Sequence, residues 1–229
     1  MAGKGVVHIA HEMLMDKHDS LKGKRCLIMG SGKVARDVAK QLLEYGAIPL
    51  SFSDQSGHVY EPDGFQESRL KNIDKIKDER GALLGRYIIQ STSAQYNEPS
   101  NLLDIPCDLI FPCAAMNDID EEAVGKLADN GCIGVIEGGY STVTQEARKC
   151  LKKRGLLYGP HTLTMTGPAV VNGLGPHCSE KEFANEMRRI YKDVTNTAVE
   201  FHARGDLFQG ANIYGFLRVA NAMLSHGAV

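Results

Sequence analysis

The chain has 229 residues, 43% of them hydrophobic and 24% charged, with a formal net charge of −2. That is enough sequence for the core of one large domain, in the proportions of a soluble globular protein. The balanced charge excludes the footprint of a nucleic-acid binder; no apolar run approaches the roughly 20 residues of a membrane span, and the first residues lack the apolar core of a secretory signal, so a cytoplasmic protein without membrane contact is expected.

In chain order, Val6, Val7, Ile9, Ala10, Met13 and Leu14 have helical spacing, which predicts an amphipathic helix over Gly5–Met15. Residues Asp16–Lys24 are polar and turn-like. Arg25–Met29 is a short apolar run of the kind found in a strand buried on both faces. It ends in Gly30-Ser31-Gly32-Lys33-Val34-Ala35, and a helix follows with Val34, Val38, Leu42 and Leu43 as its expected buried stripe, stopping at Gly46. A second strand is expected from Ala47 to Phe52, leading into Ser53-Asp54. Strand, glycine turn, helix and strand make one βαβ unit.

The alternation then repeats. A polar helix is predicted over about Gln66–Arg80, and Gly81–Pro106 is loop-rich with no clear period. Strands are predicted over Asp108–Phe111, Ile133–Ile136 and Leu156–Tyr158, with helices over Glu121–Asn130 and Thr144–Lys153. From Ser179 the pattern is helical, over Glu180–His202 and Ala211–Leu224. The expected fold is α/β: a Rossmann-like, doubly wound, mostly parallel sheet with C-terminal helices. Residues 1–20 read as a leading helix and linker, 21–178 as the dinucleotide-binding domain, and 179–229 as a helical segment.

None of the six cysteines forms a C-x-x-C pair, and several lie in apolar runs, so free thiols in a reducing compartment are expected. His8 and His11 are spaced i, i+3 but have no third ligand in a fitting pattern, so no metal site is expected.

The G-x-G-x-x-A run carries the chemistry. It stands between a buried strand and a helix, where a dinucleotide's pyrophosphate meets free helix N–H groups and the positive end of the helix dipole. Gly30 permits the tight turn, Gly32 lets backbone approach the phosphates, and Ala35 lets the helix lie close to the sheet. Gly30, Ser31, Gly32, Lys33 and Val34 are therefore the expected phosphate-binding residues. Asp54, 22 residues after Gly32, is the position that ordinarily accepts a ribose 2′-OH and favours NAD. Ser56, Lys75, Lys77 and Arg80 argue for a 2′-phosphate instead, through charge-assisted hydrogen bonds. The motif alone leaves NAD and NADP open.

Several runs resemble the hexameric NADP-dependent glutamate dehydrogenases. They are Leu21–Arg25, Gly30–Ala35, Ser53–Gly57, Pro112–Asp118 with Asp120-Glu121, Asn130–Cys132 and above all Gly210–Ala220. The resemblance extends nearly end to end. It implies the cofactor-binding portion of such an enzyme, with the catalytic lysine, catalytic aspartate and most of the glutamate pocket in a substrate domain that this chain does not include. By the same matching, Ser56, Lys77 and Arg80 fall near a 2′-phosphate, and Ala114, Ala115 and Asn117 line the ribose and nicotinamide side. NADP is thus favoured over NAD, with an amino or keto acid as substrate and self-association of copies.

The resemblance also breaks in two places. Where the family reads E-G-A-N-M-P, this chain has Glu137-Gly138-Gly139-Tyr140-Ser141-Thr142, and the family's P-G-K-A-A-N-A-G-G-V becomes Pro160–Ala169. Met165 replaces an Asn that contacts the nicotinamide end and substrate, and Asn172 replaces a substrate-contacting Ser. Loss of such partners weakens polar recognition. Two functions follow as expectations: part of an NADP-dependent oxidoreductase forming glutamate from 2-oxoglutarate and ammonia, or a nucleotide-binding module without turnover. No catalytic residue is assigned within this chain. His161 could serve as a substitute acid or base, though a His beside a Pro is more often structural.

Overall fold

A computed structural model describes residues 2–175 and 177–227. Residues 1, 176, 228 and 229, which fall within the expected segments, lie outside the described residues. The apolar run Arg25–Met29 forms β1, and its alternation serves two cores at once. Cys26 and Ile28 enter a core with helix α1 (Ala2–Met15), while Leu27 enters a second core on the other face. A strand buried on both faces needs apolar residues at every position, which is why the run is continuous.

The main sheet has the order β2-β1-β6-β7-β8, all parallel, with β2 at Ile48–Pro49, β6 at Leu109–Pro112, β7 at Gly134–Ile136 and β8 at Leu157–Gly159. Helices α1, α2 (Lys33–Glu44), α3 (Glu67–Asp78) and α8 (Glu180–Glu200) cover one face, and α4 (Glu121–Asp129) and α5 (Gln145–Arg154) cover the other. This is the expected doubly wound arrangement. Cap chemistry sets the helix ends: Asp120 and Thr144 accept the Ala123 and Ala147 N–H groups, and Ser179 with Glu182 forms a capping box.

The structure departs from the sequence reading in four places. The expected single strand Ala47–Phe52 is split, because Pro49 has no N–H to donate and sits on the sheet edge. Beyond it, the Ser51 side chain takes over the pairing, its Oγ accepting from Ile28 N–H at 3.0 Å and donating to Ile28 O at 3.1 Å. The chain then runs into β3 (Ser51–Asp54), which turns back as β4 (Gly57–Tyr60) and pairs with β5 (Gln95–Asn97) in a separate antiparallel sheet. The loop-rich stretch Gly81–Pro106 holds β5 and two 3-10 segments, Leu84–Gln90 and Pro99–Asp104, too short for a periodic signal.

The buried face of α2 is rotated from the expected stripe. Ala35, Val38, Ala39, Gln41 and Leu42 are buried, whereas Val34 and Leu43 are half-buried at its margins. Small residues let α2 lie close to the sheet, so the contact falls on the alanines. Finally, α6 (His161–Thr164) and α7 (Gly167–Leu174) occupy a stretch the sequence left unassigned. The C-terminal α9 (Leu207–His226) packs on α8 through Gly210 and Ala211, leaving Phe216, Val219 and Leu224 exposed. Among the described residues, no helix is long and apolar enough to cross a membrane.

Candidate functional site

The strand order reverses at β1: β2 lies on one side and β6 on the other. Open α/β sheets bind ligands at such a point, beyond the carboxyl ends of the strands. Here the Gly30 loop leaves β1 and the Cys113 loop leaves β6. Gly30 has φ +99°, and a Cβ on it would stand 3.0 Å from the Cys113 carbonyl oxygen, so only glycine fits. Its N–H donates to Ser53 Oγ at 2.7 Å, a partner the sequence reading did not single out.

Gly32 is a different case. It is the N-cap of α2 with φ −69°, which any residue can adopt, and a Cβ there would meet nothing within 4 Å. Nothing in the protein itself requires a glycine here, and the space in front of the helix start is open. No side chain caps α2 and no acidic residue lies in its first turn. The leading N–H groups thus face the exposed side of Gly32 and Lys33, with Ser31 buried behind them and Val34 half-buried. Ala35 is fully buried against the sheet. An uncapped helix start with a bare cradle fits an anion such as pyrophosphate.

At the end of β3, Asp54 turns its carboxylate inward. One oxygen accepts from Ser56 N–H at 3.0 Å and Ser56 Oγ at 2.6 Å; the other accepts from Leu84 N–H at 2.9 Å and Lys77 Nζ at 3.4 Å. Burial would raise the Asp54 carboxyl, but the Ser56 and Leu84 hydrogen bonds and the Lys77 charge hold it below the usual range. Lys77 also donates to the Ala82 carbonyl at 3.0 Å, and Tyr96 OH donates to Ser56 O at 2.6 Å. Asp54, Ser56 and Lys77 therefore stand together, while Arg80 is exposed just past the end of α3.

A carboxylate missed in the sequence, Glu61, anchors this corner. It is fully buried and accepts from Tyr87 OH, Ser91 Oγ, Ser93 Oγ and Arg69 at 2.7–2.8 Å. Burial, then the Glu61 hydrogen bond, pushes the Tyr87 hydroxyl well above its ordinary range. An acid among Tyr60, Pro62 and Asp63 carries no signal of burial, since its partners come from residues far along the chain.

On the other half of the sheet edge, Ala114, Ala115 and Asn117 are exposed on the loop after β6. Asn117 has φ +61°, and its N–H donates to Ser141 O at 3.0 Å; Ala115 N–H donates to Asp118 at 2.6 Å. The two loops touch, since Gly138 and Gly139 N–H both reach the Pro112 carbonyl and a Cβ on Gly138 would strike Cys113 Sγ. Glu137, fully buried at the end of β7, accepts from Thr142 Oγ1 at 3.0 Å, Val143 N–H at 2.9 Å, Tyr158 OH at 2.8 Å and His161 N–H at 2.7 Å. His161 Nδ1 lies 3.1 Å from the same carboxylate, and the Tyr140 ring packs edge-on to His161 at 4.7 Å. Met165 and Asn172 sit farther along, on the turn after α6 and on α7.

The model of the Glutamate/Leucine/Phenylalanine/Valine dehydrogenase family matches residues 1–227. The chain is 39% identical to the NADP-specific glutamate dehydrogenase of Chlorella sorokiniana, covering 99% of this chain and 46% of that protein. It is 30% identical to the NADP-specific glutamate dehydrogenase of Escherichia coli, over 99% of this chain and 53% of that one. Among solved structures, glutamate dehydrogenase 2 of Plasmodium falciparum superposes with a TM-score of 0.94 at 35% identity, over 100% of this chain and 52% of that one. The chain spans about half the length of the curated relatives it matches. By sequence and by fold, it belongs to the glutamate/leucine/phenylalanine/valine dehydrogenase family.

Proposed function

We propose that this chain binds NADP at the switch point between β1 and β6 and forms the cofactor-binding portion of a glutamate dehydrogenase-like oxidoreductase. The observation that carries the reading is the uncapped start of α2, with open space where a Gly32 side chain would be. The N–H groups of Gly32, Lys33 and Val34 would hold the pyrophosphate, and Gly30 and Ser31 would shape the turn. Ser56, Lys77 and Arg80 would meet the 2′-phosphate, in keeping with the NADP-specific names of the relatives. In this reading Asp54 positions Ser56 and Lys77 and is not a ribose acceptor. Ala114, Ala115 and Asn117 would line the ribose and nicotinamide side.

NADPH, when bound, supplies a hydride, and the protein supplies orientation and exclusion of water. The reaction in view is reductive amination of 2-oxoglutarate with ammonia, with acid–base groups from a substrate domain. Residues 21–178 would form the dinucleotide domain and 179–229 a helical segment behind it, in a cytoplasmic protein whose copies associate. A second reading is nucleotide binding without turnover. It is favoured by the side chains at the nicotinamide half, where Tyr140 is 68% exposed over His161.

Titration of the purified chain with NADPH and NADH, followed by a turnover assay with 2-oxoglutarate and ammonia, tests both. Tight NADPH binding supports the cofactor site that both readings share; turnover excludes the second reading, and absence of turnover even when a relative's substrate domain is supplied supports it. Absence of binding below about millimolar, the weak end of specific recognition, sinks both.

A further inference from the structure

All six cysteines are free thiols, and two of them meet where the backbone brings neighbouring strands together. Cys107 and Cys132 each lie two residues before the register pair Leu109↔Gly134 of β6 and β7. Between them, Ile133 N–H donates to the Asp108 carbonyl at 2.8 Å, so the strands are already paired at this point. Adjacent strands run roughly 4.8 Å apart, within the ~4.4–6.8 Å between Cα atoms that a disulfide spans. Both side chains turn into the core beneath α4, with Val124 and Leu127, and the Cys132 thiol donates to the Gly134 carbonyl at 3.3 Å. Each keeps 5% of its surface exposed, Cys107 next to Pro106 and Cys132 next to the turn at Gly131. This is the amino edge of the sheet, opposite the Gly30 loop.

We propose that Cys107 and Cys132 form a reversible thiol–disulfide site that hydrogen peroxide closes. The neighbouring Cys107 holds the Cys132 thiol below its usual range, and Cys132 together with burial pushes the Cys107 thiol up. Cys132 is therefore the attacking sulfur. Its thiolate bonds to one peroxide oxygen, the O–O bond breaks, and the departing hydroxide takes the thiol proton as water. Cys107 sulfur then attacks the sulfenic sulfur. The S–S bond forms, the S–O bond breaks, and the leaving hydroxide carries off the Cys107 proton as a second water. Two thiols lose two electrons and two protons, and one peroxide becomes two waters. The new bond ties the entries of β6 and β7 and leaves the carboxyl edge untouched.

The test treats the full chain with stoichiometric hydrogen peroxide, blocks the remaining thiols and maps peptides without reduction by mass spectrometry. The expected result is one cross-linked pair containing Cys107 and Cys132, reversed by dithiothreitol, with Tm raised by about 5 °C. Cys107→Ser should leave Cys132 as a sulfenic acid trapped by dimedone, with dinucleotide affinity unchanged. Separate oxidation of the two residues without a link, or links only among Cys26, Cys113, Cys150 and Cys178, would overturn the proposal. The wild-type map alone decides it, so failure of a variant to fold does not matter.

Discussion

The Lys77 ammonium lies 3.4 Å from Asp54 Oδ2, and that same oxygen accepts the Leu84 N–H at 2.9 Å. An acid at the end of the second βαβ strand ordinarily points toward a ribose hydroxyl. Here it points into the protein and holds the cation in place. Replacing Lys77 and Arg80 with Ala should weaken NADPH binding about tenfold to a hundredfold, the worth of a charge-assisted contact, and leave NADH binding unchanged. Calorimetric titration of both cofactors checks this, and equal loss for NADH would remove the 2′-phosphate role.

Asp54→Asn should not convert the site toward tighter 2′-phosphate binding. It loosens Ser56, Lys77 and the Leu84 turn together, so NADPH affinity falls along with Tm. A gain in NADPH affinity at unchanged Tm would show that Asp54 repels the phosphate and does not organise its partners.

Gly30 and Gly32 should separate stability from binding. Gly30→Ala forces a side chain into φ +99° against the Cys113 carbonyl, costing about 1–3 kcal/mol of stability. Gly32→Ala adds a methyl in open space at an ordinary φ, so Tm should hold while dinucleotide affinity drops. Thermal melts paired with titrations read both effects.

Glu61→Leu removes a fully buried acceptor from Tyr87, Ser91, Ser93 and Arg69. Breaking such a network from one side costs about 3–5 kcal/mol. Urea denaturation should show that loss, with disorder spreading through Leu84–Asn97 in hydrogen exchange.

Acid should destabilise the fold through His8 and His11. His8 Nδ1 lies 2.8 Å from Tyr45 OH, and His11 packs on the same ring at 4.8 Å. Burial lowers both imidazoles below the ordinary 6.5, with mutual repulsion adding for His8. The unfolded chain then binds protons more readily, so their contribution is present above pH 6.5 and is lost as pH falls through the folded values. Asp54, also lowered, acts in the same direction but from its ordinary 3.8 downward, outside this window. Tm should drop between about pH 6.5 and 5, and His11→Phe should flatten that drop. An unchanged pH profile in His11→Phe would exclude His11 from the effect.

Much of this was legible in the sequence because single residues carry it. Continuous apolar runs marked β1, β6 and β7, and Gly30 to Ala35 marked the tight turn from β1 into α2, since its requirements are local. Elements defined by distant partners were not legible. The β3–β4–β5 hairpin sheet depends on pairing between Val59 and Tyr96, and Glu61 is buried by groups 8 to 32 residues away. The split at Pro49 and the inward turn of Asp54 likewise follow from neighbours in space. The Tyr140 and His161 contact stands on two stretches that the sequence showed only as departures.

The most direct test of the central claim is calorimetric titration of NADPH into the wild-type chain and Gly32→Ala, with melts of both. The account predicts binding well below about millimolar by the wild type, a clear loss in Gly32→Ala, and matching Tm values. Equal affinity in the two proteins, or no binding by either, would contradict it.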